Sequence, residues 1–367
     1  MQADVPEGIS APDLGRRGRR PVRGPRPDAG PSLLAPGAAR DPYRLYRVLR
    51  EEYPLSYDAP LRAWLVSRYA DVATALTDPR FTGLPHDAAP RGAPAPLGLC
   101  HGSPRCVPHD QRPATPRPVP CHMPELAAVP RHMAARIERT AYVLARRIAG
   151  RQQADLVEEF CRWLPFGAAP GASARRYAVR LYGTTSGIAY GPPPGTVTAT
   201  ATAATPCTRH TGLRERALAS LLANVLDAPD LLAALRVEPA LADRAWTESL
   251  RRDPPVQVVL RRTVTEVTLS GGTLPAGADV ACLIGAAGRD PERFAAPDLF
   301  DPFRRDQGRS LTGPVSCPAV LLGRLEARQG LRALLDAMPR LRWADGFRPA
   351  GTGLLTRGPR ALLVRPG

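Results

Sequence analysis

Lysine is absent from this chain, and asparagine occurs once, at Asn224. All 50 basic residues are therefore arginine, and against 34 acidic residues they give a formal net charge of +16. Such a surplus is typical of proteins that bind nucleic acid or anionic membranes. Aromatic residues, however, make up only 5% of the chain and are not interleaved with the arginines. Because a GC-rich genome also imposes arginine through its codons, we expect neither nucleic acid nor membrane as a partner.

Long apolar runs are also missing, so no spanning helix is predicted, and no apolar segment follows the basic run Arg16–Arg20 as it would in a signal peptide. The seven cysteines include no CxxC pair, which argues against a disulfide framework and against a zinc knuckle. These absences predict a cytoplasmic location. Proline, in contrast, is in excess. Average usage of about 5% would give fewer than half of the 43 prolines present.

Two proline-rich stretches, 84–130 and 165–212, show neither a helical nor a strand period. Proline removes a backbone donor and clashes with the preceding turn, so we expect irregular structure there. One hypothesis is that both are out-of-frame readings of a GC-rich gene, and an unbroken reading frame on resequencing would refute it. The other interpretation of the first stretch is a metal site, although its spacing matches no zinc pattern, made from Cys100, His101, Cys106, His109, Cys121 and His122.

The rest of the chain predicts a mainly α protein with small β-sheets, in one domain over 41–367 that follows a disordered, Arg/Pro-rich tail over 1–40. An N-cap acid and a proline at Asp41-Pro42 predict a first helix over 43–52. Apolar periodicity predicts further helices over 69–77, 131–150, 152–164, 213–227, 229–236, 239–253 and 318–338. Strands are predicted over 54–57, 63–67, 256–262 and 264–274, with a closing hairpin over 354–364 turned at Gly358-Pro359.

Four short motifs follow one another in the second half of the chain. Glu248 and Arg251 lie three residues apart in a predicted helix, on one face where they can pair. The next two are RDPERF at Arg289–Phe294 and FDPFR at Phe300–Arg304, and the last is Cys317 ahead of LLGRLE. In this order and spacing the set resembles the cytochrome P450 family, the haem-thiolate monooxygenases, in its soluble bacterial branch. The resemblance is close over 41–83 and 213–367 and moderate over 131–164.

The resemblance implies a role for each matching residue. Cys317 would ligate the iron of haem b as the proximal thiolate and favour O–O cleavage, with Gly313 in the loop before it. Arg261 would pair with a haem propionate. A buried ion network that supports the cysteine loop would be formed by Glu248, Arg251 and Arg304. The alternative for Cys317 is a small, buried hydrophobic residue.

The chain also departs from the family pattern. Residues 310–319 keep the cysteine and the glycine four before it, but they lack the loop's phenylalanine and first glycine. Val315 replaces a basic residue and Ala319 replaces a glycine, which we expect to weaken haem binding. The acid–threonine pair that relays protons to dioxygen in the family is missing from its expected place at 210–214. No catalytic side chain is therefore assigned.

The function implied is oxidation of a small organic molecule, in secondary metabolism, with dioxygen and two electrons from NAD(P)H. A ferredoxin with its reductase, or a similar donor, would dock on a basic patch made of Arg304, Arg305, Arg309 and Arg324. The alternative is a catalytically silent relative, because some members that have lost haem assist glycosyltransferases in antibiotic pathways. An inactive gene product is the third possibility. Retention of Cys317 favours the enzyme, and the missing proton relay favours the helper.

Overall fold

The computed structural model describes residues 31–83, 131–168, 211–306, 311 and 318–367. Its helices are α1 (Pro42–Glu51), α2 (Tyr69–Thr77), α3 (Arg131–Ala149), α4 (Thr211–Leu226), α5 (Pro229–Val237), α6 (Leu241–Arg252), α7 (Ile284–Ala287) and α8 (Pro318–Ala337). Its strands are β1 (Leu55–Asp58), β2 (Ala63–Val66), β3 (Phe81–Gly83), β4 (Ala154–Asp155), β5 (Val258–Thr263), β6 (Val267–Leu269), β7 (Gly272–Leu274), β8 (Asp279–Leu283), β9 (Arg342–Trp343), β10 (Gly351–Thr352), β11 (Gly358–Pro359) and β12 (Leu363–Arg365). A π-helical turn covers Val157–Cys161 and a 3₁₀ turn covers Leu164–Ala168.

The largest core lies between helices, where α8 packs against α3, α4 and α6. On α3 the apolar stripe Ile137, Leu144 and Ile148 is at most 2% exposed. Burying each such aliphatic side chain contributes about 1.5–3 kcal/mol to folding. Two further clusters lie beside the sheets. The predicted architecture, mainly α with small sheets, is confirmed.

A five-stranded sheet in the order β1-β2-β8-β5-β3 carries the strand that follows α6. Strands β2 and β8 run parallel, whereas β5 pairs antiparallel with both β8 and β3. The register places Val259 opposite Cys282 and Arg261 opposite Val280. Because side chains alternate across a strand, Arg261 and Val259 point to the same side of the sheet. The sheet therefore fixes Arg261 beside Cys282.

Residues 31–40 are packed against the domain, so the predicted disordered tail is wrong for this part of it. Leu33 is 1% exposed, and its backbone N–H donates to Asp58 Oδ2 at 2.7 Å. At the other end of the segment, Arg357 donates to the carbonyls of residues 39 and 40 at 2.8 and 2.6 Å. The composition of this segment predicted disorder. Both of its partners are distant in sequence, so no local pattern records the contacts that order it.

Two further predictions of secondary structure are wrong. The predicted helix over 152–164 begins instead with β4, because the Asp155 carboxylate accepts the backbone N–H of Val157 and of Leu362, each at 2.9 Å. The predicted closing hairpin is not formed either, since Gly358-Pro359 lies in β11 and pairs with β10. Strand β12 pairs with β4 and β9. In each case a strand partner from a remote part of the chain overrides the local pattern.

Helices α4 and α5 are consecutive and largely apolar, and they meet at Asp227-Ala228-Pro229. Proline at the start of α5 ends the first helix and opens the second. Within the part of the chain that the structure describes, no single helix is both long and apolar enough to cross a membrane. The pair Gly212–Leu226 and Pro229–Val237 reaches that length and apolarity together, but it is bent by 104° at the break.

Candidate functional site

Glu248 of α6 lies at the centre of a buried ion network. Its carboxylate accepts Arg251 Nη2 at 2.7 Å and Arg251 Nε at 2.9 Å, a bidentate geometry. It also accepts Arg304 Nε and the Asp301 backbone N–H, at 2.9 and 3.0 Å. Glu248, Arg251 and Arg304 are 0%, 2% and 7% exposed. The structure therefore brings together the three residues that the sequence analysis placed in one network.

The remaining N–H groups of Arg251 donate to backbone carbonyls of the loop that follows α7. Its Nη1 donates to Gly288 O and Pro297 O, both at 2.7 Å, and its Nη2 donates to Leu299 O at 2.9 Å. A Cβ on Gly288 would lie 2.2 Å from the Arg251 carbonyl oxygen, so no larger residue fits there. The segments that flank the RDPERF motif and lead to FDPFR are thus attached to α6 through one guanidinium.

A second network joins the end of α6 to α1 and to the RDPERF motif. Asp253 accepts Arg289 Nη2 at 2.7 Å and the Tyr43 hydroxyl at 3.0 Å. Arg289 also lies over the Tyr43 ring, with its Cζ 3.5 Å from the ring centre. Burial alone would raise the pKa of Asp253, but Arg289 and Arg252 outweigh it and hold that pKa below its usual value. Sequence reasoning missed this network, because its members come from three separate elements.

The burial of Arg304 corrects its second predicted role. A guanidinium that is 7% exposed and bound to Glu248 cannot belong to a docking patch, so the prediction is wrong for this residue. Arg305 and Arg324 are exposed, and Arg324 Nη2 donates to Asp243 at 2.9 Å. Arg309 lies outside the described ranges. Of the predicted patch, two arginines remain available.

Arg261 on β5 is a buried cation that is 7% exposed. Among the described residues, its Nη1 donates to the adjacent carbonyl of Leu260 at 3.2 Å. Among the residues described, no carboxylate forms an ion pair with it; the ionisable group beside it is the Cys282 thiol. Burial lowers the pKa of Arg261 and raises the pKa of Cys282 to about 12. A buried guanidinium with unused donors suits an anion such as a haem propionate.

The predicted iron ligand Cys317 lies outside the described ranges, together with Gly313 and Val315. So do the six residues of the alternative metal site at 100–122 and most of both proline-rich stretches. The helix α8 begins at Pro318, directly after the cysteine. Leu311, six residues before Cys317, packs against the core beside the five-stranded sheet. The described residues thus include Leu311 before the cysteine and helix α8 directly after it.

A buried ion pair between α4 and α8 was not predicted. Glu326 of the LLGRLE motif is 1% exposed and accepts a hydrogen bond from Arg214, which is 7% exposed. Burial raises the pKa of Glu326 to about 7, although Arg214 opposes the shift. The two residues are 112 positions apart. In the sequence, this ion pair is indicated only by the fact that each of its two residues is charged and lies on an otherwise apolar helix face.

Comparison with known proteins places these motifs in a family. The family model for cytochrome P450 matches residues 239–312, a range that includes Glu248, Arg251, Arg261 and Arg304. Pulcherriminic acid synthase of Bacillus subtilis is 33% identical over 162 residues, which are 41% of this chain and 40% of that protein. Protein DesVIII of Streptomyces venezuelae is 44% identical over 131 residues, 34% of this chain and 32% of that protein. The chain thus matches well under half the length of these two relatives.

One further relative matches along almost its whole length. Cytochrome P450 107B1 of Saccharopolyspora erythraea is 30% identical over 399 residues, covering 92% of this chain and 98% of the relative. Among solved structures, epothilone B-bound cytochrome P450epoK superposes with a TM-score of 0.66 at 22% identity over 92% of this chain and 99% of its own. The CYP116B5 haem domain of Acinetobacter radioresistens gives 0.67 at 18% identity over 92% and 97%.

The fold is that of solved cytochrome P450 structures, and the match along almost the whole length of one relative makes the assignment specific. The chain belongs to the cytochrome P450 family. Members of this family are oxidoreductases that carry haem b and receive electrons from NAD(P)H through redox partners. The resemblance stated from the motifs is confirmed.

Proposed function

We propose that this chain is a haem-thiolate monooxygenase that inserts one atom of dioxygen into a small organic molecule and releases the other as water. Two electrons from NAD(P)H would arrive through a redox partner. The observation that carries the proposal is Arg261, a buried guanidinium without an acid in the described part of the chain. Such a group is costly to bury unless an anion binds it, and a haem propionate is an anion of the right kind.

In this proposal Cys317 would hold the haem iron through its thiolate, and Gly313 would belong to the loop that binds the haem, as the resemblance implies. Arg261 would bind a haem propionate through its guanidinium. Bound in this way, the haem would supply the activation of dioxygen. No side chain of the described ranges is assigned to proton delivery.

The Glu248 network would act as a scaffold. Arg251 and Arg304 together offset the one buried carboxylate and bind carbonyls at Gly288, Pro297 and Leu299. With its charges paired and its donors used, the loop has few alternative arrangements of similar free energy. We propose that this rigidity holds the approach to residues 310–317 in place.

The electron donor would dock on an exposed basic surface to which Arg305 and Arg324 contribute. Surface charges of this kind steer an acidic partner and set its orientation more than they raise affinity. One structural neighbour, P450BioI, was solved in complex with an acyl carrier protein that bears a fatty acid.

The neighbour with bound epothilone B and the likeness to a Streptomyces protein support a substrate from secondary metabolism.

The test is a reduced carbon monoxide difference spectrum of the purified protein after reconstitution with haem. The parent chain is expected to give the band of a thiolate-ligated haem, and Cys317→Ser is expected to lose it. Cys161→Ala is the control, because Cys161 is a buried free cysteine in a different part of the chain, the π-helical turn. Absence of haem uptake by the parent would overturn the monooxygenase proposal, as would an unchanged thiolate band in Cys317→Ser.

A second candidate is a protein without turnover that assists another biosynthetic enzyme such as a glycosyltransferase. The departures at residues 310–319, with Val315 for a basic residue and Ala319 for a glycine, favour it. The same spectrum separates the two candidates. A helper is expected to take up no haem and to raise the rate of a partner glycosyltransferase in a mixing assay. The monooxygenase is expected to take up haem and to leave that rate unchanged.

A further inference from the structure

One buried face of α8 is held unusually close to its neighbours. Gly323, Glu326 and Gly330 lie on it at helical spacing, and all three are buried. A Cβ on Gly323 would lie 2.9 Å from Trp246 Cζ2 of α6. A Cβ on Gly330 would lie 3.0 Å from Leu164 Cδ2. Neighbouring side chains therefore touch the backbone of α8, and the helix has little room to shift sideways.

Arg214 adds a charged contact to the same face. It lies in the first turn of α4 and pairs with Glu326, and its Cγ would be 3.8 Å from a Cβ on Gly323. Its Nη2 also donates to Pro165 O at 3.4 Å. One side chain from α4 therefore reaches both α8 and the 3₁₀ turn. Both charges are buried, so removal of either leaves the other uncompensated in a medium of low dielectric constant.

The helix α8 begins next to the predicted iron ligand. Pro318 is its first residue, and Glu326 lies nine residues beyond Cys317, which corresponds to about 14 Å along a helix axis. A continuous helix is stiff over this length, so a shift at Glu326 moves the first turn of α8, which directly follows Cys317 in the sequence. The contacts made by this face of α8 therefore fix where the helix begins.

We propose that Arg214 is a positioning residue for the haem site: through its ion pair with Glu326 it fixes α8, and with it the sulfur of Cys317, against α4. The inference rests on the proposed function, because it gives Cys317 to the iron. Arg214 touches neither the substrate nor the haem in this proposal. Arg214 sets the distance between α4 and α8, and it does so through Glu326.

The experiment compares Arg214→Met with a control on α8. Methionine keeps most of the apolar stem but removes the charge, so Glu326 loses its partner. The control is Arg332→Met, whose side chain is 54% exposed and lies 3.9 Å from Asp336. After reconstitution with haem, Arg214→Met is expected to bind haem roughly tenfold more weakly, as is typical for loss of an outer-shell partner. Its reduced carbon monoxide complex is expected to shift from the thiolate band toward the inactive band, while the control keeps both properties of the parent.

Two further variants separate positioning from folding. In the double variant Arg214→Met, Glu326→Gln no charge is left unpaired, so its unfolding midpoint is expected to recover toward that of the parent. Its carbon monoxide band is nevertheless expected to stay shifted, because the link between α4 and α8 is gone. Arg214→Lys keeps the charge and is expected to restore most of the thiolate band. A double variant that regains the parental band as well as the parental stability would overturn the positioning role.

The outcomes also separate this inference from the function on which it rests. If the parent shows a thiolate band and Arg214→Met shows the same band and the same haem affinity, only the positioning role of Arg214 is overturned. If the parent takes up no haem, the monooxygenase proposal and the positioning role are both overturned.

Discussion

Asn224, the one asparagine in the chain, donates its side-chain amide to Asp253 Oδ2 at 3.1 Å. The same amide donates to Ser249 Oγ at 3.2 Å, and its carbonyl oxygen accepts Arg252 Nη1 at 2.5 Å. A side chain with both a donor and an acceptor is needed at this point, since it faces a carboxylate and a guanidinium together. In a composition that otherwise avoids asparagine, the residue is retained where α4 meets the end of α6.

Glu248→Gln is expected to destabilise the protein by about 3–5 kcal/mol, the usual result of removing one partner from a buried ion pair. Arg251 and Arg304 would each lose the carboxylate that offsets their charge. Urea denaturation followed by circular dichroism measures the change. Glu266→Gln, at an exposed site, is the control and is expected to stay within about 0.5 kcal/mol of the parent. Equal stability of the two variants would contradict a structural role for Glu248.

Arg261→Met is expected to weaken haem binding roughly tenfold or more, because a propionate would lose its charged partner. Arg262→Met is the matched control on the same strand, since Arg262 already pairs with Asp279 at 2.7 Å and is only partly buried. Haem transfer to apomyoglobin gives the dissociation rate of each variant. Equal rates for the two substitutions would remove Arg261 from the haem site.

Glu326 is expected to make stability depend on pH. Burial raises its pKa to about 7, while the unfolded chain releases the same proton near 4.3. The folded state therefore binds more protons between these values, and the contribution of Glu326 to stability falls as pH rises through this window, by at most about 1.4 kcal/mol per pH unit. Urea midpoints at pH 5, 6 and 7 measure it as the difference between the parent and Glu326→Gln. Parallel pH profiles for the two proteins would show that Glu326 does not titrate there.

Gly323→Ala is expected to cost about 1–3 kcal/mol by overpacking, because the new methyl group would meet the ring of Trp246. Gly150→Ala has nothing within 4 Å of the new Cβ and serves as the control. Thermal unfolding of both variants is the measurement. If Gly323→Ala is as stable as Gly150→Ala, then Trp246 moves away from α8 without cost, and the close packing of that face does not constrain the helix.

The contacts within the Glu248 network follow from local spacing and from motif order. Glu248 and Arg251 are one helical turn apart, so their pairing follows from geometry within α6. Arg304 is 56 residues from Glu248, and it was included through the order of the family motifs. These contacts could be predicted because each partner lies either in the same helix or in a segment that has its own sequence motif.

Other contacts could not be predicted because no local pattern records them. Arg214 and Glu326 belong to separate helices, and a lone charge on an apolar helix face does not say which neighbour it meets. The strand at Ala154-Asp155 depends on Leu363 and Val364 near the opposite end of the chain. Secondary structure that exists only through such a remote partner is where tertiary contacts override local propensity.

The contacts of residues 31–40 have a consequence for synthesis on the ribosome. Arg357 supplies the donors for the carbonyls of residues 39 and 40, and it is translated more than 300 residues after them. A growing chain can therefore form α1 and β1 early, but the segment that precedes them lacks this partner until Arg357 has been translated. We expect residues 31–40 to be accessible to protease in chains stalled on the ribosome before Arg357 and protected once Arg357 has folded against them.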